Sequence, residues 1–302
     1  MWFWLSLIAL LCWSGSDLFS KIGCQGEDDH LAHLKMVIAV GTVMGLHAAY
    51  EIFVGGTVIS FSIILTYLPV SLLYIGSMTL GYMGLRYIEL SVSSPICNSS
   101  GALVAVMTLL FLGGEDYSPL AIGAIILVCF GAIGLGVVDA TEDPELRAAR
   151  QADGNRKYSK SFLALALPVA YCLLDAAGTF ADNRVLETLN EGSANCAYEL
   201  TFLFAAAVCF IYVVFIRKDR LPPKREAPKY IGAVCETAGQ FAYIYAISDT
   251  EHLAMSAPII SSYCAASVLW SRLFLKEKLS WKHYLMILLV VIGIAVMGVF
   301  DI

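Results

Sequence analysis

The sequence predicts an all-α membrane protein of ten transmembrane helices, arranged as two inverted five-helix repeats. Three observations predict this. The 302-residue chain is 59% hydrophobic and 15% charged, whereas a soluble domain carries about 25% charge. Apolar runs of roughly the 20 residues that cross a bilayer recur along it. The polar and glycine residues of its two halves also repeat in the same order.

The ten spans are expected near 2–20, 34–53, 64–87, 91–112, 118–138, 161–181, 195–216, 229–248, 253–274 and 281–300. The first is apolar from Trp2, with no basic leader and no A-x-A site, and reads as a retained span rather than a signal peptide. Long polar stretches run from Asp139 to Lys160 and from Arg217 to Lys229. The first of these divides the chain into a first repeat at 1–138, a cytoplasmic linker at 139–160 and a second repeat at 161–302. None of the nine cysteines falls in a C-x-x-C spacing, and most lie inside apolar runs. There they act as small apolar side chains, which offers neither a disulfide framework nor a zinc site. Basic residues sit in short loops, so nucleic acid is excluded as a partner.

The repeat rests on its polar and glycine members. Pro95 and Ile96 answer to Pro258 and Ile259, and Glu115 to Glu277. Beyond the glutamate, Ser118, Gly131, Gly136, Val137 and Asp139 recur as Ser280, Gly293, Gly298, Val299 and Asp301 at a constant offset of 162. Of the 19 Lys and Arg, all but Arg184 lie in or beside the odd-numbered connections. They are Lys21 and Lys35, Arg86, Arg147 through Lys160, Arg217 through Lys229, and Arg272 through Lys282. Basic loops stay cytoplasmic, so both termini are expected on the extracytoplasmic side, as an even number of spans requires. Five helices per repeat then force the two copies into opposite orientations, a pattern common among secondary transporters.

Leu112-Gly113-Gly114-Glu115 and Leu275-Lys276-Glu277, each followed by a serine and a glycine-rich helix, resemble the EamA repeat of the drug/metabolite transporter superfamily. Leu85-Arg86-Tyr87 and Tyr245-Ala246-Ile247, at the ends of earlier helices, fit its pattern more loosely. The resemblance covers both halves. It implies two EamA-like repeats around a central cavity and activity as a permease or exporter, with no particular substrate. Pro95 and Pro258 lie earlier in their helices than the family's usual proline, and family members are usually described with cytoplasmic termini.

Charged side chains are costly at mid-bilayer, about 2.5–3.5 kcal/mol on insertion scales, so an ionisable group there needs a partner, water or a proton. Span six carries Tyr171, Asp175, Thr179 and Asp182 on one helical face. Span eight carries Glu236, Gln240 and Tyr243, with Glu236 seven residues past Lys229, about 10 Å into the span. Asp175 and Glu236 are the expected substrate counter-ions and proton-coupling candidates. A structural carboxylate bonded to a neighbouring helix is the alternative for each. Trp13 of span one and Tyr74 of span three join the expected binding set. Asp17 and Lys21, four residues apart, suggest instead an interfacial ion pair.

Spans four and nine carry Pro95 and Pro258 as helix breaks, beside Asn98, Ser261 and Tyr263. Proline frees a backbone carbonyl one turn back, tolerable only where protein or water satisfies it. In repeat-built carriers such interrupted segments point at the binding site. Glu115 and Glu277 read as helix-end landmarks, and Glu199 as an outer-interface residue. Asp28, Asp29, His30 and His33 in the first loop form a solvated acidic cluster rather than a metal site. No metal or cofactor is expected.

The functional expectation is a secondary transporter of the cell membrane, not an enzyme, since no H-E-x-x-H, G-x-S-x-G or Walker pattern occurs. The absence of Lys and Arg deep in the spans favours a small amine-bearing, cationic or zwitterionic metabolite, with proton coupling left open. A carrier of neutral metabolites with structural carboxylates is the alternative. A non-transporting membrane scaffold or sensor is a second, against which the short loops argue.

Overall fold

In lipid every backbone polar group must be satisfied within its own segment, so apolar spans fold as helices. The computed structural model describes residues 1–24, 29–87, 90–111, 118–141, 162–277 and 279–300. Among these residues there are twelve α-helices. The first half supplies α1 (Trp2–Cys24), α2 (Ala32–Phe53), α3 (Phe61–Tyr87), α4 (Leu90–Cys97), α5 (Ser100–Phe111) and α6 (Pro119–Ala140). The second supplies α7 (Phe162–Leu186), α8 (Glu191–Phe210), α9 (Pro223–Ile247), α10 (Leu253–Ser261), α11 (Tyr263–Phe274) and α12 (Trp281–Phe300). A π-helical turn, Ile211–Ile216, prolongs α8. The proposed linker falls largely outside the described residues, as do Asp28, Glu115 and Asp301.

Local chemistry sets several boundaries. Ser118 accepts the Ala121 N–H at 3.1 Å, and Pro119 fills the first helical position of α6, where no N–H is needed. Asn190 accepts from the N–H groups of Gly192 and Ser193 to start α8. The expected fourth and ninth spans are each interrupted a few residues beyond their proline. The first break is at Asn98 and Ser99 and the second at Ser262. Side chains at both breaks satisfy backbone carbonyls: Ser99 Oγ donates to the Pro95 carbonyl at 3.0 Å and Ser262 Oγ to the Ile259 carbonyl at 2.5 Å.

Among the described residues, seven stretches are long and apolar enough to cross a membrane by themselves, with Trp281–Met297 a shorter apolar helix. Of the other two expected spans, α9 falls short of that apolarity. α7 carries Asp175 within its apolar stretch and Asp182, Asn183 and Arg184 near its far end, while Lys224 to Lys229, Glu236 and Gln240 interrupt α9.

The helices pack chiefly across the two halves. α1 lies on α9, α2 on α8, α3 on α7, α5 on α10, α4 on α11 and α6 on α12. The last contact is reciprocal. A Cβ on Gly131 would lie 2.6 Å from Val290 Cγ2 and 2.9 Å from the Met286 carbonyl. A Cβ on Gly293 would meet Val128 Cγ2 at 2.5 Å and the Ala124 carbonyl at 3.0 Å. Only glycine lets the two backbones approach this closely, as in small-residue membrane interfaces. Gly131 faces Val290 while Val128 faces Gly293, so α6 and α12 run antiparallel.

Candidate functional site

A cavity opens between these cross-half pairs, walled mainly by α1, α3, α4, α7, α9 and α10. All ten residues singled out as a binding set line it. α7 presents Tyr171 and Asp175, and α9 presents Glu236, Gln240 and Tyr243. Trp13 comes from α1 and Tyr74 from α3. Asn98, Ser261 and Tyr263 come from the two helix breaks. Asn98 Nδ2 bonds the Ser94 carbonyl of its own helix at 2.8 Å, so its amide nitrogen is committed to the break.

Asp175 Oδ2 accepts from Ser100 Oγ at 2.7 Å, at the start of α5. Asp17 departs from its expected place. Rather than serving as half of an interfacial pair, it lines the cavity, and its Oδ2 accepts from Ser94 at 2.5 Å and Ser267 at 2.8 Å. Lys21 Nζ donates to the Leu85 carbonyl at 2.8 Å. The reason is geometric: α1 is packed between α9 and the broken helix α10–α11, and Asp17 falls on the side where two serines meet it. Glu236 is buried opposite Ser16 and Trp13 of α1. Among the described residues, Asp17, Asp175 and Glu236 face the cavity and no Lys, Arg or His does.

Aromatic rings complete the wall. Trp13 lies 5.0 Å from Tyr243 and 5.8 Å from Tyr263 between ring centroids. Tyr198 of α8 also lines the cavity and stands edge-on to Tyr74 at 5.8 Å. Sequence reasoning passed over Tyr198, because a single tyrosine in an apolar helix carries no distinguishing spacing.

At one end the cavity is closed by hydroxyl groups. Tyr67 donates to Asp182 Oδ1 at 2.7 Å, and the Tyr74 hydroxyl lies 3.3 Å from both Asp182 Oδ2 and Thr179 Oγ1. Tyr74 and Tyr243 also meet hydroxyl to hydroxyl, and Tyr243 donates to Thr179 at 3.1 Å. Asp182 is fully buried beneath this cluster and does not line the cavity.

The other end carries the basic residues. Lys35 pairs with Asp29 at 3.0 Å and Asp219 at 2.9 Å, and Lys229 with Glu226 at 2.9 Å. His30 Nδ1 lies 2.7 Å from Arg86. Asp29 and His30 of the first loop are thus engaged by cations. Glu199, expected at the outer interface, is buried between α2 and α8, bonded to His47 at 2.8 Å and Asn195 at 3.1 Å. The burial follows from the α2–α8 contact, which covers that face.

No curated protein matches the sequence significantly, whereas 29 chains of solved structures match the fold. One, a crystal structure, superposes with a TM-score of 0.64 over 98% of this chain and 96% of its own, at 14% sequence identity. At that identity the likeness speaks for the fold alone. The sequence model of the EamA-like transporter family matches residues 165–299, in the second half of this multi-pass membrane protein.

Proposed function

We propose that the chain is a secondary transporter of a small amine-bearing metabolite, cationic or zwitterionic, moved by alternating access. The observation that carries this reading is a cavity between the two halves, lined by three carboxylates and by aromatic rings, with no basic residue among its described walls. Carboxylates and aromatic faces together attract a positive nitrogen, and intramembrane carboxylates mark solute and proton pathways. Asp175 and Glu236 are the proposed counter-ions and the candidates for proton coupling. Tyr171, Gln240, Tyr243, Trp13, Tyr74, Asn98, Ser261 and Tyr263 complete the proposed contact set.

The architecture proposed is ten spans in two inverted halves, 1–138 and 161–302, in the cell membrane with both termini extracytoplasmic. The helix pairing supports it: exchanging each helix of one half for its counterpart turns the α1–α9 pair into α7–α3. The same exchange returns α2–α8 and α6–α12 to themselves. The reciprocal contacts of Gly131 and Gly293, at the sequence offset of 162, support it again.

Flux of labelled amines in proteoliposomes tests the reading. Asp175→Asn and Glu236→Gln are each expected to lower flux by about tenfold or more, the scale of a charge-assisted hydrogen bond. Flux unchanged in both variants would sink the carboxylate model. The Ser100–Asp175 bond favours one second reading, a carrier of neutral solutes in which the carboxylates are structural. Flux indifferent to pH and to solute charge would support that carrier.

A further inference from the structure

Along α1 and α9 the acids of the cavity and the buried amide of Gln240 lie at different depths. Trp13 and Asp17 are four residues apart on α1, and Gln240 and Glu236 are four apart on α9. The two helices pack together and run antiparallel, since Gly15 meets Cys235 while Gly239 meets Trp13. Asp17 and Glu236 therefore share the level nearer the basic end. Trp13 and Gln240 share a level about 6 Å deeper, four residues at 1.5 Å each. The deeper layer is short of acceptors. Gln240 is 3% exposed and its Nε2 has no hydrogen-bond partner among the described residues, whereas Trp13 and the Tyr82 hydroxyl stand beside Glu236. Buried donors left without an acceptor are rare in folded proteins, and each calls for an explanation.

We propose that the cavity takes a molecule with a positive nitrogen and, a few bonds away, an uncharged oxygen acceptor such as a carboxamide, hydroxyl or ring carbonyl. This deepens the amine-transport reading and rests on it. The nitrogen sits at the acidic layer and the oxygen accepts from Gln240. The corresponding amino acid is refused. Its carboxylate would enter a wall holding Asp17, Asp175 and Glu236 with no described cation to offset them, and neutral N–H donors do not replace a counter-charge. The discrimination thus has an attractive part, the orphan donor of Gln240, and a repulsive part, the acids.

Uptake into proteoliposomes of three compounds on one skeleton tests this: 2-phenylethylamine, phenylalaninamide and phenylalanine. The amide is expected to exceed the bare amine by about fivefold, the worth of one modest hydrogen bond. The amino acid is expected to fall below the amine by at least about tenfold. In Gln240→Met, which keeps length and removes the donor, the ratio of amide to amine drops toward one whatever the absolute rates. Equal uptake of amide and amine by the unaltered protein, or uptake of phenylalanine matching the amide, overturns the layered site while leaving an amine carrier standing. If none of the three moves, the amine-transport reading fails and the layered site fails with it.

Discussion

The two ends of the helix bundle are tied in different ways. At the basic end, the α1–α2 connection is joined to the α8–α9 connection by ions. Asp29 lies 3.0 Å from Lys35 and 3.7 Å from Lys229, and Lys35 reaches across to Asp219. At the opposite end, the α2–α3 connection meets the start of α8 through Ser193 Oγ, which donates to the Val58 carbonyl at 2.7 Å. There Asn183 donates to the Ile247 carbonyl at 2.7 Å, and tyrosine hydroxyls converge on Asp182. Apart from the His47–Glu199 pair, uncharged donors make these cross-half contacts. Parting such bonds exposes no naked cation, whereas parting Lys229 from Asp29 does, so the hydroxyl end is the one built to separate at lower cost.

Breaking the ionic end should produce the largest effect. Lys229 is fully buried beside Glu226 and Asp29. Lys229→Met should therefore destabilise by about 3–5 kcal/mol, the cost of an uncompensated buried charge, read as a lowered Tm in detergent micelles. Adding Glu226→Gln should recover part of that loss. No recovery would mean that charge is not what makes Lys229 matter. Next comes Asp182→Ala, which strips the acceptor from the buried Tyr67 hydroxyl and from Tyr74. About 2–3 kcal/mol is expected, and Tyr67→Phe in the same background should restore part of it. A Tm unaffected by Asp182→Ala would remove the hydroxyl end from the comparison.

The α6–α12 seam offers a smaller and sharper test. Gly131→Ala and Gly293→Ala each push a methyl into a neighbouring valine and a backbone carbonyl, at about 1–2 kcal/mol for overpacking. Matching losses are expected. A large inequality would break the two-fold pairing proposed for the halves. The smallest effect belongs to Asp219, whose side chain is 37% exposed. Lys35 beside it holds its carboxyl below the usual carboxylate range. Because that value is depressed on folding, the bridge contributes above the unfolded-state value and is lost as pH falls through the folded one. Asp219→Asn should cost at most about 1 kcal/mol at neutral pH, and variant and parent should converge in acid. A difference that persists in acid would assign the loss to packing.

Much of the cavity could be read from spacing alone. Asp175 and Glu236 stood out because carboxylates are expensive in a span, and helical periodicity then put Tyr171, Gln240 and Tyr243 on the same faces. Asp17 was misread because Lys21, one turn away, supplied a ready partner. The serines that hold it come from residues 94 and 267, far apart in the chain. A signal did exist, since an aromatic four residues before an aspartate occurs as Trp13 and Asp17 and again as Tyr171 and Asp175. Tyr198 had no such signal. The hydroxyl cluster was half legible. Asp182 lay on the marked face of α7, but only packing could bring Tyr67 to it from more than a hundred residues away.

Asp17 has one further consequence. Its single oxygen Oδ2 receives Ser94 from the first half and Ser267 from the second, so it works as a rivet through both plates. A hydroxyl bonded to a carboxylate is held roughly twice as strongly as one bonded to a neutral acid. Whatever cancels the charge on Asp17, a proton or a passing cation, slackens both plates in the same instant, without travelling the length of any helix.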